Sequence, residues 1–262
     1  MQTRSMTAVP SSPAASSPQR RPLSTVNSIA PDTKNVGVVA QVASLPEFVA
    51  AAGRIVTKGA ILDRGGHDLE AAMHAWVNAQ DEPMESFATE EVFHPSPGDE
   101  IEACTRLTAH LPGVRDAVRS DAEALCTMLL RQCPKAPCLA LNIEIIGANG
   151  CGRWHEDNYI GRMIITYSGP GTWMVDDASV RYDQFAATRG EPNHISDNLI
   201  VPSIDSIHEA PANAVALIKG KEWPGLIGNG LIHKSPNIPY RNGRPAQQRL
   251  LLKVDLSNKC RC

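Results

Sequence analysis

No run of apolar residues in this 262-residue chain approaches the roughly 20 that a membrane-spanning helix needs. The longest greasy stretches, such as Cys138–Ile146, have strand length, so no membrane partner is expected. A basic footprint is also missing. Lys and Arg number 25 against 28 Asp and Glu, for a net charge of −3, which disfavours nucleic acid as the main partner. No secretory h-region opens the chain, and the seven cysteines are odd in number. Both facts argue against a disulfide-stapled secreted scaffold and for a reducing compartment with mostly free thiols, Cys104 and Cys126 being buried core thiols. No internal repeat is visible.

Acidic residues are missing before Asp32, and the stretch up to Pro31 is rich in Ser, Pro and Ala, with Arg4, Arg20 and Arg21. Such a segment cannot bury enough apolar surface to offset its ordering entropy, so residues 1–31 are expected to be a disordered tail. The same composition fits an organelle transit peptide, but no strong amphipathic pattern accompanies it. The expected location is therefore cytoplasmic, with an organelle as the alternative.

What is present divides into two textures. Over 32–136 the pattern is mainly helical. Leu69, Met73, Trp76 and Val77 recur at helical spacing after Asp68, a possible cap, and Val114, Val118, Leu125, Met128 and Leu129 mark a second helix. Pro95 and Pro97 set a loop between them. His67 and His74 lie seven apart and read as a solvated face. Over 137–262 the texture turns to short aliphatic and β-branched runs: Cys138–Ile146, Ile160–Tyr167, Thr172–Val175, Ala214–Lys219, Gly230–His233 and Arg249–Leu256. No helix-length periodic segment clearly separates them, which argues for an antiparallel sandwich or barrel over a βαβ sheet. The expected fold is α+β: a double-stranded β-helix (a cupin-like jelly roll) with a helical N-terminal half packed on it.

The chemistry concentrates in Gly152-Arg153-Trp154-His155-Glu156-Asp157-Asn158. On an extended strand, His155 and Asp157 point to the same face and can converge on one ion. Leu231-Ile232-His233 offers a second imidazole late in the chain. Two imidazoles and one carboxylate make a facial triad with open positions, the ligand set of non-haem Fe(II), and Zn(II) accepts it too. The order His-x-Asp, long insert, His, then an Arg on the last strand is that of the Fe(II)/2-oxoglutarate oxygenases. In that order Arg249 is the candidate clamp for the distal carboxylate of 2-oxoglutarate, with Arg162 as a rival. Along the last strand Arg249, Leu251, Lys253 and Asp255 share one face, and Leu250, Leu252, Val254 and Leu256 the other. The apolar set should meet the core.

Trp154-His155-Glu156-Asp157, Tyr167-Ser168-Gly169-Pro170-Gly171-Thr172, His208-Glu209-Ala210-Pro211, Leu217-Ile218-Lys219-Gly220 and His233-Lys234-Ser235-Pro236 together resemble the blocks of the family called domain of unknown function 1826. The resemblance covers Pro137 to Leu256 well and the helical half loosely. It implies a cupin-like metal site without naming a reaction. It also implies a link to zinc-homeostasis gene neighbourhoods, which gives Zn(II) weight beside Fe(II).

Of the remaining candidates, Gly169-Pro170-Gly171 reads as a tight turn and Trp154 as core, while Glu156 should face away from the ligands. His208 reads as a structural histidine, with a role near the ligands as the alternative. Cys133 and Cys138 read as structural thiols, and Cys260-Arg261-Cys262 as idle ones. The functional expectation is a non-haem Fe(II)/2-oxoglutarate-type dioxygenase with a small-molecule or metal-related substrate. The alternative is a non-oxygenase Zn(II) protein of metal homeostasis, and the oligomeric state stays open. Because the tail lacks apolar periodicity, deleting Met1 to Pro31 should leave the thermal midpoint nearly unchanged. A loss above about 1 kcal/mol in thermal unfolding would mean that the tail packs.

Overall fold

The short strands assemble, in a computed structural model, into two facing sheets with helices on the outside of each. The structure describes residues 37–65, 71–73, 75, 88–96, 98–111, 113–146, 151–226, 228–241, 244–245 and 247–258. These lie within one compact unit, Asp32–Cys262. The tail, most of the expected helix from Leu69 to Val77, the pair His67 and His74, and Cys260 and Cys262 fall outside the described residues.

In chain order the first half supplies β1 (Val38–Val42), α1 (Leu45–Gly53), β2 (Thr57–Leu62), β3 (Ala88–Phe93), α2 (Asp99–Leu107) and α3 (Arg115–Gln132). The second half supplies β4 (Cys138–Ile146), β5 (Gly161–Ser168), β6 (Trp173–Val175), α4 (Tyr182–Ala187), α5 (Asn193–Ile200), β7 (Ile207–Glu209) and β8 (Val215–Lys219). It ends with β9 (His233–Lys234), the small hairpin β10 (Tyr240–Arg241) and β11 (Arg244–Pro245), and β12 (Arg249–Ser257). The large sheet has seven strands in the order β1-β2-β8-β5-β12-β4-β3, and the small sheet runs β7-β6-β9. Only β1 and β2 pair in parallel; the other described pairs are antiparallel.

Alternation along β12 sets the layers. Leu250, Leu252, Val254 and Leu256 point to one side of the large sheet. There they join Leu139, Leu141, Ile143 and Ile145 of β4 and pack on Phe48 of α1, Leu107 of α2, and Leu125 and Leu129 of α3. The other side of the large sheet shows Val39, Ile61, Ile164, Ala216, Ile218 and Leu251, which meet Met174 of β6 between the two sheets. Behind the small sheet a third core forms from Trp154, Val175, Val180, Ile200, Val201 and Ile232. Helix α1 starts at Ser44, whose hydroxyl accepts from the Glu47 amide, while Glu47 accepts from the Ala43 amide. This reciprocal capping satisfies donors that would otherwise be orphaned.

Two differences from the sequence reading have physical causes. The mainly helical stretch 32–136 also contributes β1, β2 and β3 to the large sheet. Every residue of β2 is buried, so it carries no polar–apolar alternation to announce a strand. Two helices, α4 and α5, also stand between β6 and β7, where no periodic segment was expected. Each spans no more than eight residues, too short to develop a clear helical period.

The chain crosses from the large sheet to the small one at Gly169-Pro170-Gly171. Gly169 has φ +84°, and a Cβ on Gly171 would stand 1.6 Å from the Ala210 carbonyl oxygen. Because the obstacle is backbone, no rotamer change relieves it. Gly171→Ala should therefore cost about 2 kcal/mol or more and lower the calorimetric midpoint by roughly 4–8 °C. An unchanged midpoint would mean the two backbones separate freely.

Candidate metal centre

The small sheet gains one more backbone pair at its β9 edge. His155 and His233 exchange two hydrogen bonds, each amide donating to the other's carbonyl at 3.0 Å. This antiparallel bridge sets the two imidazoles side by side, with ring centroids 4.3 Å apart. Asp157, two residues on from His155, turns its carboxylate between them. Its oxygens lie 3.8 Å from His155 Nε2 and 3.6 Å from His233 Nε2. One donor atom from each of the three residues falls within 4.8 Å of the others, the spacing of groups that can share an ion.

The hydrogen bonds fix which nitrogens face inward. His155 Nδ1 donates to the Arg153 carbonyl at 2.8 Å, and His233 Nδ1 donates to the Leu231 carbonyl at 3.1 Å. A carbonyl only accepts, so each ring carries its proton on Nδ1 and a neutral ring presents the Nε2 lone pair. Burial pushes His233 down to about 4, which keeps its ring neutral at ordinary pH. Burial alone would raise the Asp157 carboxyl, but His233, Arg162 and His155 outweigh it and hold it below the usual carboxylate range. Asp157 Oδ2 is buried, with no hydrogen-bond partner. Its ion pair with Arg162 Nη1 at 3.1 Å lacks hydrogen-bond geometry. Two bare lone pairs and an orphaned carboxylate oxygen aimed at one spot repel one another unless a cation lies between them. The donor set therefore fits a divalent metal.

Arg249 lies on the same cavity of about 540 Å³ as these three residues. It is 1% exposed, and its guanidinium meets only hydroxyls: Ser235 at 3.0 Å, Thr172 at 3.1 Å and Thr166 at 3.4 Å. Its Nε has no partner, and no described carboxylate forms an ion pair with it. Burial lowers it to about 10, against the opposing charge of Glu209.

Arg162 differs. Its Nε and Nη2 donate to the two oxygens of Asp255 at 2.5 and 2.9 Å, while Nη1 faces Asp157. Burial opposes its charge, but Asp255 and then Asp157 outweigh burial and raise it above its ordinary value. With two carboxylates taking it up, it offers no free edge to an anion.

The remaining candidates lie off the metal group. Glu156 pairs with Lys221 at 2.6 Å and accepts from the Gly230 amide at 3.0 Å. His208 sits on β7 against Asp176 at 3.4 Å and Gln41 at 3.1 Å. His194, a histidine of the insert between the two halves of the group, is exposed on α5. Trp154 is 2% exposed, in the core behind the small sheet. Cys104, Cys126, Cys133 and Cys138 are buried and Cys151 is exposed, and none of the five is in a disulfide.

Thr166, Thr172, Ser235, Tyr159 and Asp255 were not singled out from the sequence as parts of this centre. A hydroxyl gives no sequence signal of its own. Asp255 could have been found from the polar face of the last strand, since it sits opposite Arg162 in the β12–β5 register.

Among solved structures, a prolyl-4-hydroxylase from Pseudomonas putida is similar at 12% identity and TM-score 0.38, over 82% of this chain and 100% of that one. Full-length T7H of Neurospora crassa, in complex with alpha-KG and 5-formyluracil, is similar at 10% identity and TM-score 0.36, over 86% of each chain. AviO1 from Streptomyces viridochromogenes Tue57 is similar at 12% identity and TM-score 0.39, over 84% of this chain and 98% of that one. These likenesses are too distant to carry an argument about this chain. No curated protein matches it in sequence. The family described as protein of unknown function (DUF1826) matches residues 60–255, well over half of the sequence, and the chain belongs to that family.

Proposed function

We propose that this protein is a non-haem Fe(II)/2-oxoglutarate-type dioxygenase, in which His155, Asp157 and His233 hold the metal and Arg249 binds the distal carboxylate of 2-oxoglutarate. One observation carries the reading: a buried guanidinium with no carboxylate partner opens on the same cavity as the three metal donors. An unneutralised buried cation is costly, and a carboxylate ligand offsets that cost through charge-assisted bonds. A Zn(II) buffering role gives this cation no task. The seven-stranded sheet facing a smaller one is read here as a double-stranded β-helix, its metal-binding part falling in 137–262. Described cysteines outside any disulfide suit a cytoplasmic setting.

Bound Fe(II) would supply the dioxygen and one-electron chemistry that no side chain here provides. The chain's own residues bind and orient. His155 and His233 present Nε2 because their backbone carbonyl partners hold the proton on Nδ1. Arg249, steadied by Ser235, Thr172 and Thr166, keeps Nε free for an incoming carboxylate. A second cavity of about 530 Å³ shares His155, Asp157 and Tyr159 with the first and is read as the space for the primary substrate, a small molecule.

His155→Ala, Asp157→Ala and His233→Ala should each abolish stoichiometric Fe(II) or Zn(II) binding in calorimetry, while Glu156→Ala and His194→Ala retain it. Stoichiometric binding that survives loss of any of the three would put the metal elsewhere. With metal present, Arg249→Leu should weaken 2-oxoglutarate binding roughly a hundredfold and leave metal content intact. If the metal-loaded wild type binds no 2-oxoglutarate, the oxygenase reading is lost.

A further inference from the structure

We infer that Asp255 is a positioning residue for the metal centre: by occupying the fork of Arg162 it keeps Asp157 available as a ligand. The inference rests on the triad reading above and extends it to a residue outside the triad.

The geometry sits on two adjacent strands. Arg162 of β5 and Asp255 of β12 stand opposite each other in register. On that shared face the Nε–Nη2 edge of the guanidinium meets both oxygens of Asp255, at 2.5 and 2.9 Å. This is the bidentate arrangement that matches a planar fork to a carboxylate. Only Nη1 remains for Asp157, at 3.1 Å and without hydrogen-bond geometry. Tyr159 lies under the guanidinium, its ring centroid 5.0 Å from Cζ, and further limits its swing. All three charged groups are largely buried: the side chains of Asp157, Arg162 and Asp255 are 9%, 14% and 7% exposed.

The consequence follows from counting donors. A guanidinium freed from Asp255 would turn its fork onto the nearest remaining carboxylate, which is Asp157. Both oxygens of that ligand would then be engaged by a fixed positive charge, in direct competition with a metal ion. Asp255 prevents this by holding the preferred edge. It also balances the charge, since Asp157, Asp255, Arg162 and a divalent ion sum to +1, and losing Asp255 raises the sum to +2. Lys253, on the same face of β12, is held by Glu144 and does not take the place of either partner.

The test measures Co(II) and Zn(II) affinity of the full-length, metal-free protein by calorimetry at neutral pH. Asp255→Asn should weaken binding about tenfold or more, in the range typical for partners of a ligating group. The double variant Asp255→Asn, Arg162→Met should bind at least fivefold more tightly than Asp255→Asn alone, because the competing fork is gone. A purely structural role predicts the opposite, with the second substitution adding damage. Wild-type affinity in Asp255→Asn, or a double variant as weak as the single one, overturns the inference. If Asp255→Asn does not fold, Arg162→Lys decides. It keeps the charge but has no fork to anchor, so metal binding should fall at least fivefold, and an unchanged affinity overturns the inference. Should the wild type bind neither ion, the triad reading fails instead, and the two failures are told apart.

Discussion

The backbone pair between His155 and His233 is the contact on which the proposed metal centre depends. Two hydrogen bonds of 3.0 Å join segments 78 positions apart and fix their register to one residue. A slip of one position would send either imidazole to the opposite face of the small sheet, into the core around Trp154 and Ile232. The bridge holds because the flanking layers hold. β9 pairs with β6, and Val175 of β6 donates to the Ile232 carbonyl at 3.2 Å. Lys234, the next residue along, is fully buried between Trp154 and Trp173 and pairs with Asp197 of α5. One residue points its side chain to the metal group and its neighbour anchors the strand from behind, as period-two alternation requires.

The same alternation explains what the sequence could and could not reveal. The two faces of β12 were readable because Leu250, Leu252, Val254 and Leu256 form an unbroken apolar set, and the polar set had to lie elsewhere. That reasoning places Arg249 on the polar face but says neither where that face turns nor what lies opposite it. Thr166 and Thr172 come from β5 and the approach to β6, across a register shift in the β5–β12 pair at Leu250 and Leu251. A bulge of this kind re-aims side chains and leaves little trace in composition. The strand β2 escaped notice for the converse reason. Buried on both faces, it alternates nothing, and its short run Gly-Ala-Ile-Leu fits a helix as well as a strand.

Burial decides between roles for the two arginines that one-dimensional reading left as rivals. Both lie on the inner face of the large sheet, and both line the first cavity. What separates them is the company each keeps. Arg162 faces two carboxylates, so its charge is satisfied within the protein and its work is internal. Arg249 faces three hydroxyls, which engage Nη1 and Nη2 but carry no charge and leave Nε without a partner, and Glu209, the carboxylate whose charge favours it, makes no ion pair with it among the described residues. Desolvation presses on a guanidinium in that position, as its downward shift records. A buried arginine with no ion pair among the described residues fits the anionic ligand proposed above better than it fits a structural pair.

The metal group shows the same tension with the sign reversed. Asp157, His155 and His233 concentrate lone pairs at one spot, and the cation paired with Asp157 among the described residues, Arg162, is divided with Asp255. Desolvation and mutual repulsion therefore weigh on the metal-free arrangement, and backbone bonds that cannot relax without breaking the small sheet keep it in place. His233 stands on β9, His155 on the isolated bridge beside it and Asp157 in the irregular segment that follows, so the backbone pair is what keeps the two imidazoles in place. The two unsatisfied features, a cation without an anion and donors without a cation, open on one cavity. A metal ion and a carboxylate ligand entering together would neutralise both at once. Each would be bound more firmly in the presence of the other, through the charge they exchange across that shared space.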